Sequence, residues 1–163
     1  MKLDFGCGKK TVAGFLGVDV VDGPNVAFKC EAWHITNFVE NASVEEIRSR
    51  HFFEHLSLIE ARKTLGTWNK IMAPGAVAMI TVPNLKYHAE QLLTDETVSE
   101  IRSNISSWEH GIAGFYGWQK DEFDIHKMGY SFESLKLLLE EYGFINIHEV
   151  VDKPWNLNVS FVK

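Results

Sequence analysis

The chain has 163 residues, 45% of them hydrophobic, which is enough to bury a core in one domain without disulfides or structural metals. Its formal charge is −6 and it has no long basic run, which argues against general nucleic-acid binding, where clustered Lys and Arg must neutralise phosphate. Its two cysteines, Cys7 and Cys30, make no disulfide framework and read as reduced thiols, as expected of a cytoplasmic protein. No apolar run is long enough to span a membrane, and the start, Met1-Lys2-Leu3-Asp4, runs directly into a motif, so neither a membrane partner nor a signal peptide is expected.

Lys2–Phe5 reads as a short strand entering a glycine turn, and Phe15–Val20 as a second strand closed by Asp22-Gly23-Pro24. Val26–Cys30 is a third. Ser43-Val44-Glu45-Glu46 has capping-box spacing and could open a helix. A fourth strand near Ile47–Arg50 is preferred, because a doubly wound sheet needs one there. Ser57-Leu58-Ile59-Glu60 is another capping box. After it, Leu58, Ala61, Leu65, Trp68 and Met72 form a helical stripe that Pro74-Gly75 ends. Gly75–Val82 is a continuous apolar run stopping at Pro83-Asn84, the pattern of a strand buried on both faces of a parallel sheet. Residues 85–127 are long, aromatic and polar, with a helix predicted near Thr97–Ser107, and read as an insertion carrying substrate contacts. An amphipathic helix starts near Ser131, with Leu135, Leu138, Leu139 and Tyr142 on one face and Gly143 as its stop. Ile145–Val151 and Leu157–Val162 are the last strands. No internal repeat or low-complexity tract divides residues 1–163, so one domain is expected.

The first constellation with chemistry is Asp4-Phe5-Gly6-Cys7-Gly8, followed by Gly17-Val18-Asp19. Gly6 and Gly8 allow a tight turn and close approach of the backbone to a ligand. Asp19, at the end of the next strand, can accept both ribose hydroxyls. Together they describe an adenosine-containing ligand at the carboxyl edge of a parallel sheet. A dinucleotide fits less well, because Thr11 stands where a third glycine belongs and Asp19 comes too early for the usual spacing of about 20 residues.

These segments resemble the class I S-adenosylmethionine-dependent methyltransferases of type 11. Leu3–Gly8 resembles their first motif, and Gly17-Val18-Asp19 the acidic strand end. His51-Phe52-Phe53-Glu54-His55-Leu56 resembles the segment after strand four. Lys70–Gly75 with Thr81-Val82-Pro83-Asn84, and Ile125–Ser131 with Glu141–Phe144, resemble two further family segments. Only Lys9–Gly14 stands in place of the usual first helix, as in a compact subgroup often thought to modify sugars.

The resemblance implies a doubly wound, Rossmann-like α/β sheet: five parallel strands and a C-terminal pair, the last strand antiparallel. It implies S-adenosylmethionine as cofactor, held by Asp4, Phe5, Gly6, Cys7, Gly8, Asp19, Val20, Glu31, Ala32 and His51. It also implies methyl transfer to a small-molecule or glycan acceptor, with residues 85–127 on the acceptor side. A non-catalytic cofactor-binding module is the alternative that the missing helix suggests.

His51-Phe52-Phe53-Glu54-His55 also matches the inverted zinc-protease pattern H-x-x-E-H, which on a helix would put both histidines on one face. A zinc hydrolase using His51 and His55 is therefore a rival. It lacks a recognisable third ligand downstream, so no metal site is expected. Removing a proton from an oxygen or nitrogen nucleophile needs a base, and His126 is the candidate, expected to face the pocket beside the Gly6–Gly8 turn. Tyr116, Trp118 and Trp108 are candidate walls for an acceptor pocket.

Overall fold

The computed structural model describes residues 1–93 and 105–163. Seven strands form one sheet: β1 (Lys2–Phe5), β2 (Leu16–Asp19), β3 (Val26–Lys29), β4 (Val44–Arg50), β5 (Met72–Pro83), β6 (Ile145–Glu149) and β7 (Asn156–Val162). Their order is β3-β2-β1-β4-β5-β7-β6. The first five are mutually parallel, and β7 lies antiparallel between β5 and β6. This is the Rossmann-like arrangement that the sequence implies. The chain travels outward from β1 to β3 and returns to β4 on the other side of β1. That reversal is the switch point beside which open α/β sheets bind ligands.

Helix α1 (Leu58–Ile71) opens with the predicted capping box: the Glu60 N–H donates to Ser57 Oγ at 3.3 Å, and the Ser57 N–H donates to Glu60 Oε2 at 2.7 Å. Its buried stripe includes Ala61, Leu65, Trp68 and Ile71. The Trp68 ring packs 5.0 Å from that of Phe5 and 5.8 Å from that of Phe53, so helix, sheet and the segment after β4 share one aromatic core. The helix stops at Ile71, before the predicted Pro74-Gly75, because Met72 already pairs with Val44. The capping-box spacing at Ser43 opens no helix. Residues 44–50 are paired by β1 on one side and β5 on the other, and that pairing overrides a weak local signal.

The core is one-sided. Leu3, Phe5, Ile47, Ala78, Ile80, Val159 and Phe161 point into a single apolar cluster with α1 and with α4 (Phe132–Glu141). The other face carries Lys2 paired with Glu46 at 2.6 Å, Asp4 beside Arg48, and Thr81 donating to Asn158 Oδ1 at 2.8 Å. Val77 and Met79 on that face are 42% and 38% exposed, which corrects the expectation that this strand is buried on both sides. No helix occupies residues 6–15 or 20–25, the crossovers that would cover this face beside β1, β2 and β3.

In the predicted insertion, α2 (Leu85–Leu92) packs on α3 (Ser107–Tyr116). The helix expected over 97–107 falls largely outside the described residues; α3 begins at its end, capped by Ser106 and Glu109. A Cβ on Gly114 would collide with the His88 ring, so this glycine is what lets the two helices close.

Candidate functional site

At the carboxyl ends of β1, β2 and β4 lies a cavity of about 290 Å³, near the lower end of the roughly 300–1,000 Å³ usual for small-molecule sites. Seven of the ten predicted cofactor residues line it: Phe5, Gly6, Asp19, Val20, Glu31, Ala32 and His51. Asp4, Cys7 and Gly8 do not: Asp4 is buried in β1, and of the turn itself Cys7 is buried and Gly8 exposed away from the cavity lining. Gly6 and Gly8 have φ of +67° and +54°, and the Gly6 N–H donates to the Val18 carbonyl at 2.9 Å. A Cβ on Gly6 would collide with Phe52, a wall of the cavity, so the glycine sets the wall's position.

Asp19 organises the turn as well as facing the cavity. Its Oδ2 accepts the Gly8 N–H at 2.8 Å and its Oδ1 the Val21 N–H at 2.9 Å. A carboxylate has about four acceptor sites, so each oxygen retains one for a ribose hydroxyl. Asp4 is buried; its carboxyl accepts the Val12 N–H at 3.4 Å and orients the loop that replaces the first helix. Burial pushes its pKa up, only partly opposed by the Arg48 guanidinium. Burial likewise keeps the Cys7 thiol neutral, with its pKa raised. Glu31 precedes the 3₁₀ turn Ala32–Asn37, and with Ala32 and Trp33 gives the far wall. The carboxylate at the strand end, the glycine turn and the apolar surface of Phe5, Val20 and Trp33 fit the ribose and adenine of S-adenosylmethionine.

A second cavity of about 370 Å³ adjoins the first, and His51 and His55 line both. It takes in Arg50, Glu54, His88, His110, Trp118, Asp124, His126 and Trp155. His126 sits here and not beside the Gly6–Gly8 turn, which corrects its expected place. The reason is the loop after α3: the His126 N–H donates to the Tyr116 carbonyl, closing residues 117–125 into a loop whose Glu122, Phe123 and Ile125 reach the first cavity. His126 Nδ1 faces the Gly114 carbonyl at 3.0 Å. A carbonyl only accepts, so Nδ1 carries the proton and Nε2 keeps its lone pair. Burial holds this imidazole below its usual range, partly opposed by the negative Glu54. Of the predicted aromatics only Trp118 lines the cavity; Tyr116 and Trp108 are exposed elsewhere.

The H-x-x-E-H segment forms no helix with two histidines on one face. His51 has φ of +51°, and only Phe53–His55 make a 3₁₀ turn. His51 Nδ1 instead meets Glu54 Oε1 at 3.2 Å. A left-handed histidine at a strand end is costly backbone that the surroundings impose, and here it turns the ring into the wall between the cavities. The zinc-hydrolase arrangement therefore lacks the helix it requires. Sequence reasoning missed Glu54, His88 and Trp155 as site residues. Glu54 stood inside both the family segment after strand four and the protease-like pattern without being given a site role, and His88 and Trp155 reach the site through long-range packing that no local spacing reveals.

Among the described residues no helix is long and apolar enough to cross a membrane. No curated protein matches the sequence. The Methyltransferase domain family matches residues 2–149. Solved structures share the fold at low identity. A SAM-dependent methyltransferase from Archaeoglobus fulgidus is 16% identical, with 99% of this chain and 85% of that one covered and a TM-score of 0.64. An S-adenosylmethionine-dependent methyltransferase from Mesorhizobium loti is 14% identical, with 99% and 90% covered and a TM-score of 0.64. The 1,6-didemethyltoxoflavin-N1-methyltransferase of Burkholderia thailandensis, solved with S-adenosylhomocysteine, is 14% identical, with 99% and 70% covered and a TM-score of 0.62. With nearly its whole length matched by the family, the chain belongs to the methyltransferase domain family and is a class I S-adenosylmethionine-dependent methyltransferase.

Proposed function

We propose that the chain transfers a methyl group to a small-molecule or glycan acceptor bound in the second cavity. The observation that carries this is the shared wall: His51 and His55 line both cavities, so an acceptor in one lies next to a cofactor in the other. S-adenosylmethionine supplies an electrophilic methyl group on a sulfonium, and transfer is an in-line displacement that depends on alignment and a dry site. Asp19, Glu31 and the Gly6 turn would hold the cofactor. Trp118 and Trp155 offer flat apolar walls to a ring or sugar, while Arg50 and Asp124 offer polar contacts.

His126 is the residue we assign to the acceptor. Its Nε2 is the nitrogen left free by the Gly114 contact, and burial favours its neutral, proton-accepting form. The net charge of −6 supports an acceptor other than nucleic acid. The test is transfer of labelled methyl from S-adenosylmethionine to a panel of hydroxylated small molecules, glycans, RNA and protein. Label in a small molecule or glycan is expected; label confined to RNA or protein overturns the assignment.

A further inference from the structure

Glu54, His55 and His126 each offer one ligand atom, and these atoms lie within 4.8 Å of one another. Three features make this more than a crowded corner. First, both imidazoles are fixed in the same way. His55 Nδ1 faces the Ile125 carbonyl at 3.0 Å and His126 Nδ1 faces the Gly114 carbonyl at 3.0 Å. Both rings therefore carry the proton on Nδ1 and leave Nε2 as a lone-pair donor, the outer-shell arrangement that fixes metal-ligating histidines.

Second, Glu54 is 1% exposed, and its Oε2 has no hydrogen-bond partner. A buried carboxylate with one oxygen unpaired is costly, and a cation held by this carboxylate, whose Oε1 lies 4.0 Å from His126 Nε2, offsets that cost. Its other oxygen is already oriented by His51 at 3.2 Å. Third, the backbone locks the three together. The Lys127 and Met128 N–H groups donate to the Glu54 carbonyl at 2.8 and 3.1 Å, tying the loop that bears His126 to the turn that bears Glu54 and His55. The rings of His55 and His126 meet edge to face at 4.9 Å.

We propose that Glu54, His55 and His126 form a binding site for a divalent transition-series cation such as Zn²⁺, Mn²⁺ or Co²⁺. Two imidazoles and one carboxylate suit these ions better than Mg²⁺ or Ca²⁺, which prefer all-oxygen shells. Three protein ligands leave coordination positions open, as in catalytic rather than structural sites. All three residues line the second cavity, so the open positions face the space assigned to the acceptor. Placing the ion's action on the acceptor rests on the function proposed above; binding of the ion does not. With the ion in place His126 Nε2 is a ligand, and the ion, not the ring, makes an acceptor oxygen acidic. The site differs from the protease-like one, because His51 only orients Glu54 and the third ligand comes from 71 residues beyond His55.

The test uses chelator-stripped full-length protein titrated with Co²⁺ alone, followed by its visible d–d absorption, and with Zn²⁺ by calorimetry. One equivalent should bind. Glu54→Gln and His126→Ala should each weaken binding at least 10-fold, whereas exposed His148→Asn should not. S-adenosylhomocysteine titrated into the same samples reports folding and the cofactor site independently. Absence of stoichiometric Co²⁺ and Zn²⁺ binding to wild-type protein overturns the site, as does binding that Glu54→Gln and His126→Ala both leave unchanged. If S-adenosylhomocysteine still binds in that case, only the cation site falls. If it does not bind wild-type protein, the methyltransferase reading falls instead.

Discussion

The Asp19 carboxylate accepts the Gly8 N–H at 2.8 Å, tying the end of the second strand to the glycine turn eleven residues earlier. One side chain thus shapes the turn and faces the cavity that the turn borders. Asp19→Ala should therefore weaken S-adenosylhomocysteine binding by about 10-fold or more, the equivalent of losing a charge-assisted hydrogen bond worth roughly 1.5–3 kcal/mol. Calorimetric titration of the folded variant measures this, and unchanged affinity would remove Asp19 from the ribose site.

Gly6→Ala tests the turn from the other side. A side chain at φ +67° costs about 1–2 kcal/mol and its Cβ would collide with Phe52, adding roughly 1–3 kcal/mol of overpacking. Melting should drop by several degrees and cofactor affinity should fall with it. Gly6→Ala combined with Phe52→Ala should recover part of the affinity; a double variant no better than the single one would separate the turn from the wall.

The strands and the cofactor side were legible in the sequence because their signals are local: short strands, a glycine turn and an acidic strand end recur at fixed offsets, whereas the doubly wound sheet came with the family resemblance. The second cavity was not. His126, Glu54 and His88 come together through the packing of α2 on α3, which Gly114 permits, and through a loop closed by the Tyr116 carbonyl. The apolar run 75–82 misled because alternation fails when a strand's outward residues, Val77 and Met79, are apolar yet exposed.

His88 makes stability pH-dependent. Burial, with the neighbouring His110 adding to it, lowers its pKa from 6.5 to about 4. A histidine depressed in the fold must lose a proton to fold, so its contribution is fully present above pH 6.5 and is lost as pH falls from about 6.5 toward 4. The shift corresponds to at most about 3 kcal/mol, less because the ring is partly solvated. Thermal melts of wild type and His88→Gln across this range should converge at low pH; parallel curves would show that His88 does not titrate in the fold.

Asp4 runs the opposite way. Its raised pKa means the ionised form is disfavoured in the fold, so its contribution is present at acid pH and lost as pH rises through the folded value. Asn at this position can still accept the Val12 N–H. Asp4→Asn should melt higher than wild type at pH 7, with the difference disappearing below about pH 4. A lower melting point at pH 7 would mean that the Arg48 attraction outweighs burial.

His126→Asn should reduce turnover by about 10²–10⁴-fold with an identified acceptor, whether Nε2 takes the acceptor's proton itself or holds the cation that acidifies it, while leaving S-adenosylhomocysteine affinity nearly unchanged. The ring lines the second cavity alone, so binding in the first should not sense it. Turnover within a few-fold of wild type would leave His126 a structural residue holding Gly114.

The most direct measurement is titration of S-adenosylhomocysteine into wild-type protein, by calorimetry and by thermal shift. The account predicts one site per chain and a melting temperature that rises with ligand, because a ligand bound only to the native state stabilises it by mass action. NAD should give neither heat nor shift. No heat and no shift with S-adenosylhomocysteine, or equal effects with NAD, would contradict it.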